Sequence, residues 1–103
     1  MPYRKIQNLK LSSLAESDIE DIAQYTYIHC GSEQVDKYLD VLMQAMQTIA
    51  ENSGIGHKRD DLPGNYRAFV AEKHIIVYKL KEQIVYVSRV FHESMDFRTK
   101  LID

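Results

Sequence analysis

Six side chains in the second half of this 103-residue chain are of the kind that handles phosphate: His57, Lys58, Arg59, Arg67, Arg89 and His92. Guanidinium and ammonium groups bind phosphate oxygens, and a neighbouring His or Tyr can move a proton. A converging set would therefore suit contact with phosphates, or stabilisation of the charge that develops during RNA cleavage. The alternative is a set paired off by carboxylates, Arg59 with Asp60 and Asp61, Arg89 against Asp96, in which no site forms. The patterns of other chemistries are missing. There is no phosphate-binding Gly loop, no Gly-x-Ser-x-Gly elbow and no His-Glu-x-x-His. The histidines (His29, His57, His74 and His92) lack metal-ligand spacing, so neither a metal site nor a cofactor is expected. Cys30 falls at a helix C-terminus, where the macrodipole disfavours a thiolate, and reads as structural.

Composition narrows the classes further. A folded chain of this size buries roughly two-thirds of its surface, and 45% hydrophobic residues can fill one core without disulfides or metal. One domain over residues 1–103 is expected. Four Gly and two Pro exclude collagen-like and low-complexity chains. No apolar run approaches the ~20 residues of a membrane span, and the start, MPYRKIQNLKLSS, lacks the apolar stretch of a secretory signal. A cytoplasmic protein is expected. Residues 1–52 hold four Lys and Arg against eight Asp and Glu (−4), and residues 53–103 hold nine against seven (+2). The chain thus lacks the gross positive charge of a nucleic-acid binder, although its cations gather late.

The elements that must position these residues follow from periodicity. Ile6, Leu9 and Leu11 suggest a short edge strand. Ser12 and Ser13 offer a helix cap, with Glu16 at capping-box distance from Ser13. Ala15, Ile19, Ile22 and Thr26 then form one stripe, with Asp18, Glu20 and Asp21 on the solvent face. Gly31 stops that helix and Ser32 starts a second, striped by Val35, Leu39, Leu42, Met46 and Ile49 to about Asn52–Gly54. Residues 54–65 read as a loop. Tyr66–Val70, His74–Lys79 and Ile84–Val90 read as three strands of an antiparallel meander, followed by a short tail. In the last strand, simple alternation puts Val85, Val87 and Arg89 on one face. The order is β-αα-βββ, an α+β layer pair.

Four segments in register then resemble one family. Arg89-Val90-Phe91-His92-Glu93-Ser94-Met95-Asp96 is similar to the Arg-Val-Leu-His-x-x-Met-Asp signature that closes ParE-type toxins, with Phe91 in place of Leu. His74-Ile75-Ile76-Val77-Tyr78 resembles their His-x-Ile-x-Tyr strand. Gly56-His57-Lys58-Arg59-Asp60-Asp61-Leu62 resembles their Gly-x-x-Arg-Asp-Asp-Leu loop. Ala15-x-x-Asp18-Ile19-x-x-Ile22-x-x-Tyr25 resembles their opening helix.

The resemblance implies the RelE/ParE fold and the toxin of a type II toxin–antitoxin module, paired with a ParD-like antitoxin. It implies a protein that is not an enzyme and poisons DNA gyrase by stabilising its cleaved-DNA complex. Related RelE-type toxins are ribosome-dependent mRNA endonucleases. The Met-Asp closing motif and the lack of any Tyr after Tyr86 favour the gyrase branch. On that reading Arg89, His92, Met95, Asp96, Phe97 and Arg98 carry toxicity. Arg59, Arg67, Arg89 and His92 are the set a nuclease would use. For the antitoxin, expected to carry an acidic tail, Tyr25, Ile28, Tyr38 and Leu42 are candidate contacts.

Overall fold

The computed structural model describes residues 6–58 and 64–92. In chain order the elements are β1 (Leu9–Leu11), α1 (Ser13–Cys30), α2 (Ser32–Glu51), β2 (His57–Lys58), β3 (Arg67–Ala71), β4 (His74–Lys81) and β5 (Ile84–His92). The strands form one sheet in the order β1-β5-β4-β3-β2. The expected meander is its centre, antiparallel throughout, and β1 lies parallel to β5 with Leu9 beside Val85 and Leu11 beside Val87. The residues read as a loop contain β2, which pairs with β3 through His57–Ala68 and Lys58–Arg67. Among the described residues no helix is long and apolar enough to cross a membrane.

The two helices pack on one face of the sheet. Ala15 and Ile19 of α1, Leu42, Met46 and Ile49 of α2, Ile76 and Tyr78 of β4, and Val85, Val87 and Val90 of β5 are buried together. Each helical stripe recurs at steps of three and four, which keeps it on one side of a 3.6-residue helix. Ser12 caps α1, its hydroxyl accepting from the Ala15 N–H at 2.9 Å. That replaces the expected box between Ser13 and Glu16, because the helix begins one residue earlier than that box requires, with Ser12 rather than Ser13 at the cap. Gly31 joins the helices at φ 88°, ψ 173°, a conformation side chains beyond glycine rarely adopt, and its N–H closes α1 on the Tyr27 carbonyl.

One irregularity in β5 changes which residues face where. Arg89 pairs with Val77, but Val87 pairs with Tyr78, so Ser88 is an extra residue in a bulge. The bulge shifts the alternation by one. Val90 therefore joins Val85 and Val87 under the helices, while Arg89 goes with Phe91 to the opposite face. Simple alternation put Arg89 with Val85 and Val87, and the extra residue is why that assignment fails. Beyond the bulge Val77 and Phe91 are buried on the far face, with Tyr66 and Ile75 against them.

Candidate functional site

The bulge, Arg89 and the first turns of α1 form one structure at the open edge of β5. β1 covers that edge only as far as Val87, leaving the backbone groups of residues 88–90 in need of partners. Ser12 supplies two bonds: its N–H donates to the Val87 carbonyl at 3.0 Å and its hydroxyl to the Ser88 carbonyl at 2.8 Å. Asp18 supplies the next, one carboxylate oxygen accepting from the Val90 N–H at 2.9 Å. The same carboxylate takes Arg89 in a fork, Nε to Oδ2 at 2.8 Å and Nη2 to Oδ1 at 2.9 Å. Both side chains are nearly buried, at 15% and 12% exposure. The hydrogen bond to Asp18 raises the Arg89 pKa above its ordinary value despite the opposing effect of burial. Arg89 is thus a fixed cation, with its guanidinium carbon 4.8 Å from the Phe91 ring centroid.

Asp18 was expected on the solvent face of α1. It faces the sheet edge instead, because its turn of α1 passes beside the uncovered stretch of β5. The opening-helix and closing-strand motifs meet in this one ion pair. Asp96, the partner expected for Arg89, lies outside the described residues, as do Met95, Phe97, Arg98 and Arg59.

At the end of β5 His92 pairs across the sheet with His74, their rings edge-on with centroids 5.5 Å apart. His74 in turn meets Tyr38 of α2, ring to ring at 4.6 Å. A groove of about 450 Å³ opens beside this aromatic run, between α2 and the β3–β4 turn. Lys37 and Lys73 on its wall are matched by Asp40 and Glu72, so it has no net preference for an anion.

The remaining arginine of the proposed nuclease set is elsewhere. Arg67 pairs with Tyr78, on the helix side of the sheet, and donates to the Gly56 carbonyl at 2.9 Å. Tyr78, fully buried, donates to the Ser53 carbonyl at 2.7 Å and accepts from the Gly56 N–H at 2.9 Å. Burial raises its pKa, while the Gly56 bond and the Arg67 charge act in the lowering direction. A methyl group on Gly56 would sit 2.5 Å from the phenol oxygen, so this loop approaches Tyr78 only as glycine. Arg67 and Arg89 project from opposite faces, each held by a protein acceptor. These two do not converge on a common phosphate.

The antitoxin candidates divide by burial. Tyr38 and Leu42 are 5% and 1% exposed and belong to the core, because the α2 stripe that carries them is the one pressed on the sheet. Leu42 lies wholly within the core, whereas Tyr38 also lines the groove beside α2. Tyr25 and Ile28 stand free on α1, at 64% and 68% exposure, and Leu14 at 59% shares their face of the helix. The Tyr25 ring stacks on His29 at 4.0 Å. Sequence reasoning missed Asp18, Tyr78 and Leu14. The first two had a signal in lying within the matched motifs, whereas nothing in the periodicity marks Leu14.

A two-helix layer on a five-stranded sheet with a carboxylate–guanidinium clamp at its edge defines a class, and comparison with known proteins identifies it. Residues 9–97 match the model of the ParE toxin of type II toxin–antitoxin systems, parDE. The chain belongs to the ParE toxin family. It is 32% identical over 100 residues to Toxin ParE1 of Caulobacter vibrioides, covering 97% of each chain. It is 34% identical over 87 residues to Toxin ParE1 of Mycobacterium tuberculosis, covering 84% of this chain and 89% of that one. Among solved structures, a chain of the chromosomal ParDE TA system from P. aeruginosa superposes with a TM-score of 0.71 at 18% identity. That match covers 82% of this chain and 92% of the other, and it shows the shared fold.

Proposed function

We propose that this chain inhibits growth by binding DNA gyrase and stabilising its cleaved-DNA complex, and that a ParD-like antitoxin neutralises it. Family membership over residues 9–97 is the observation that carries the reading. The geometry is in keeping with action by binding. Arg89 is committed to Asp18 and Arg67 to the Gly56 carbonyl, so neither stands ready to stabilise a scissile phosphate. On this reading Arg89 holds the end of β5 in place, and His92, Met95, Asp96, Phe97 and Arg98 follow from it as the toxicity surface. The antitoxin covers the exposed face of α1 at Tyr25 and Ile28, where large apolar side chains otherwise meet water. The protein acts in the cytoplasm, where gyrase and its DNA are.

Induced expression tests the reading in cells. Growth should stop with broken chromosomal DNA and intact mRNA, and co-expressed antitoxin should restore it. Cleaved mRNA on ribosomes, abolished by His92→Ala, would instead mean a RelE-like endonuclease. Tyr25→Asp with Ile28→Asp should leave toxicity intact and weaken rescue. Full rescue of that double variant would remove α1 from the antitoxin interface.

A further inference from the structure

The sheet face turned away from the helices has a composition that neither the ion pair nor α1 explains. Register places Lys10 of β1, Tyr86 of β5 and Lys79 of β4 side by side across it. Tyr66, just before β3, continues the row, with the Lys79 ammonium 5.5 Å from its ring centroid. Strands lie about 4.8 Å apart, so this cation–aromatic–cation–aromatic row is roughly 14 Å long. Lys81 pairs with Ile84 on the same face, two residues beyond Lys79. All three lysines are exposed and both tyrosines are half-exposed. Among the described residues on this face, Arg89 is neutralised by Asp18 at one margin, and no carboxylate lies in the row itself. The concentration is notable in a chain of net charge −2.

We infer that this face binds a strand of nucleic acid directly, its phosphates on Lys10, Lys79 and Lys81 and its bases against Tyr86 and Tyr66. Cations alone would suit any polyanion, including an acidic polypeptide. The interleaved tyrosines favour a nucleic acid, because every base offers a face for stacking while the backbone tracks the charges. Among the described residues of the face none is an Asn, Gln or Arg free to read base edges, so the preference is for single strands of any sequence. The binding is independent of gyrase and is measured without it.

The test is fluorescence anisotropy of labelled oligothymidylate and oligouridylate with the purified chain. Both should bind, more tightly than duplex DNA of the same length. The affinity should fall with salt at a logarithmic slope of about −2, three contacts at roughly 0.7 each. Lys79→Glu should weaken binding at least fivefold. Tyr86→Leu, which keeps an apolar side chain on the sheet, should weaken it about tenfold with an unchanged melting temperature. No binding at low salt would overturn the inference. Equal binding of single strands, heparin and polyglutamate, indifferent to Tyr86→Leu, would also overturn it and assign the face to an acidic protein segment.

Discussion

Asp18 illustrates how one side chain closes several open requirements at once. Its carboxylate satisfies a backbone N–H at the uncovered edge of β5 and neutralises Arg89, 71 residues away. Removing one member of such a nearly buried pair strands the other. Arg89→Ala is expected to cost about 3 kcal/mol, near the low end for broken buried pairs, and to lower the melting temperature by more than ~10 °C. Arg89→Lys restores little, since an ammonium cannot reproduce the fork. A melting curve for Arg89→Ala that overlays the parent's would show the pair to be incidental. Tyr78 supports a second prediction. A phenol that ionises less readily in the folded chain holds full stability below pH 10, and loses it as the pH rises through the folded value. Alkaline unfolding should therefore be postponed in Tyr78→Phe relative to its own neutral stability. Gly56→Ala should destabilise by overlap with the same phenol, and somewhat less when Tyr78→Phe removes the hydroxyl at 2.5 Å while leaving the ring carbons at 2.8 and 3.0 Å. Additive losses would show that the hydroxyl contributes nothing to the overlap.

At the level of elements, backbone conformation sets the testable positions. Gly31 sits at φ 88°, ψ 173° with nothing within 4 Å of the place a Cβ would occupy. Gly31→Ala therefore isolates backbone strain, expected at about 1–3 kcal/mol in chemical denaturation. A neutral result would mean the helix junction relaxes freely. The β4–β5 turn puts Glu82 at φ 53° and Gln83 at φ 68°, the tight hairpin conformation that Asn-Gly prefers. Replacing the pair by Asn-Gly should stabilise the chain.

The helices and the meander were legible in the sequence because apolar steps of three and four, then of two, are properties of a single segment. The β2 strand was not, since two residues have no period. The bulge was hidden because Ser88 looks like one more member of an alternation, and with it went the face of Arg89. Asp18 looked like any acidic residue on the solvent face of a helix, because its partner is distant in sequence. Tyr38 and Leu42 were ambiguous for the opposite reason: an apolar stripe has the same spacing whether it meets the sheet or a partner.

Across the whole molecule three surfaces separate. α1 presents Leu14, Tyr25 and Ile28, the far sheet face presents lysines and tyrosines, and the end of β5 presents His92 beside the clamp. A small protein that acts by binding needs this separation if a neutralising partner and a target are to be recognised differently. On the proposed reading, the clamp's role in toxicity is one of position. Toxicity of Arg89→Ala should fall with its folded fraction, and Asp18→Asn, which keeps an acceptor for the Val90 N–H, should lose less of both. Toxicity lost from an Arg89→Ala chain that stays fully folded would contradict the positional role and put the guanidinium in contact with the target.

The most direct measurement is a supercoiling and DNA-cleavage assay with purified gyrase, with and without the cognate antitoxin. Linear DNA should accumulate in proportion to toxin and disappear when antitoxin is added first. Gyrase that supercoils normally and cleaves nothing in the presence of excess folded toxin would contradict the account at its centre.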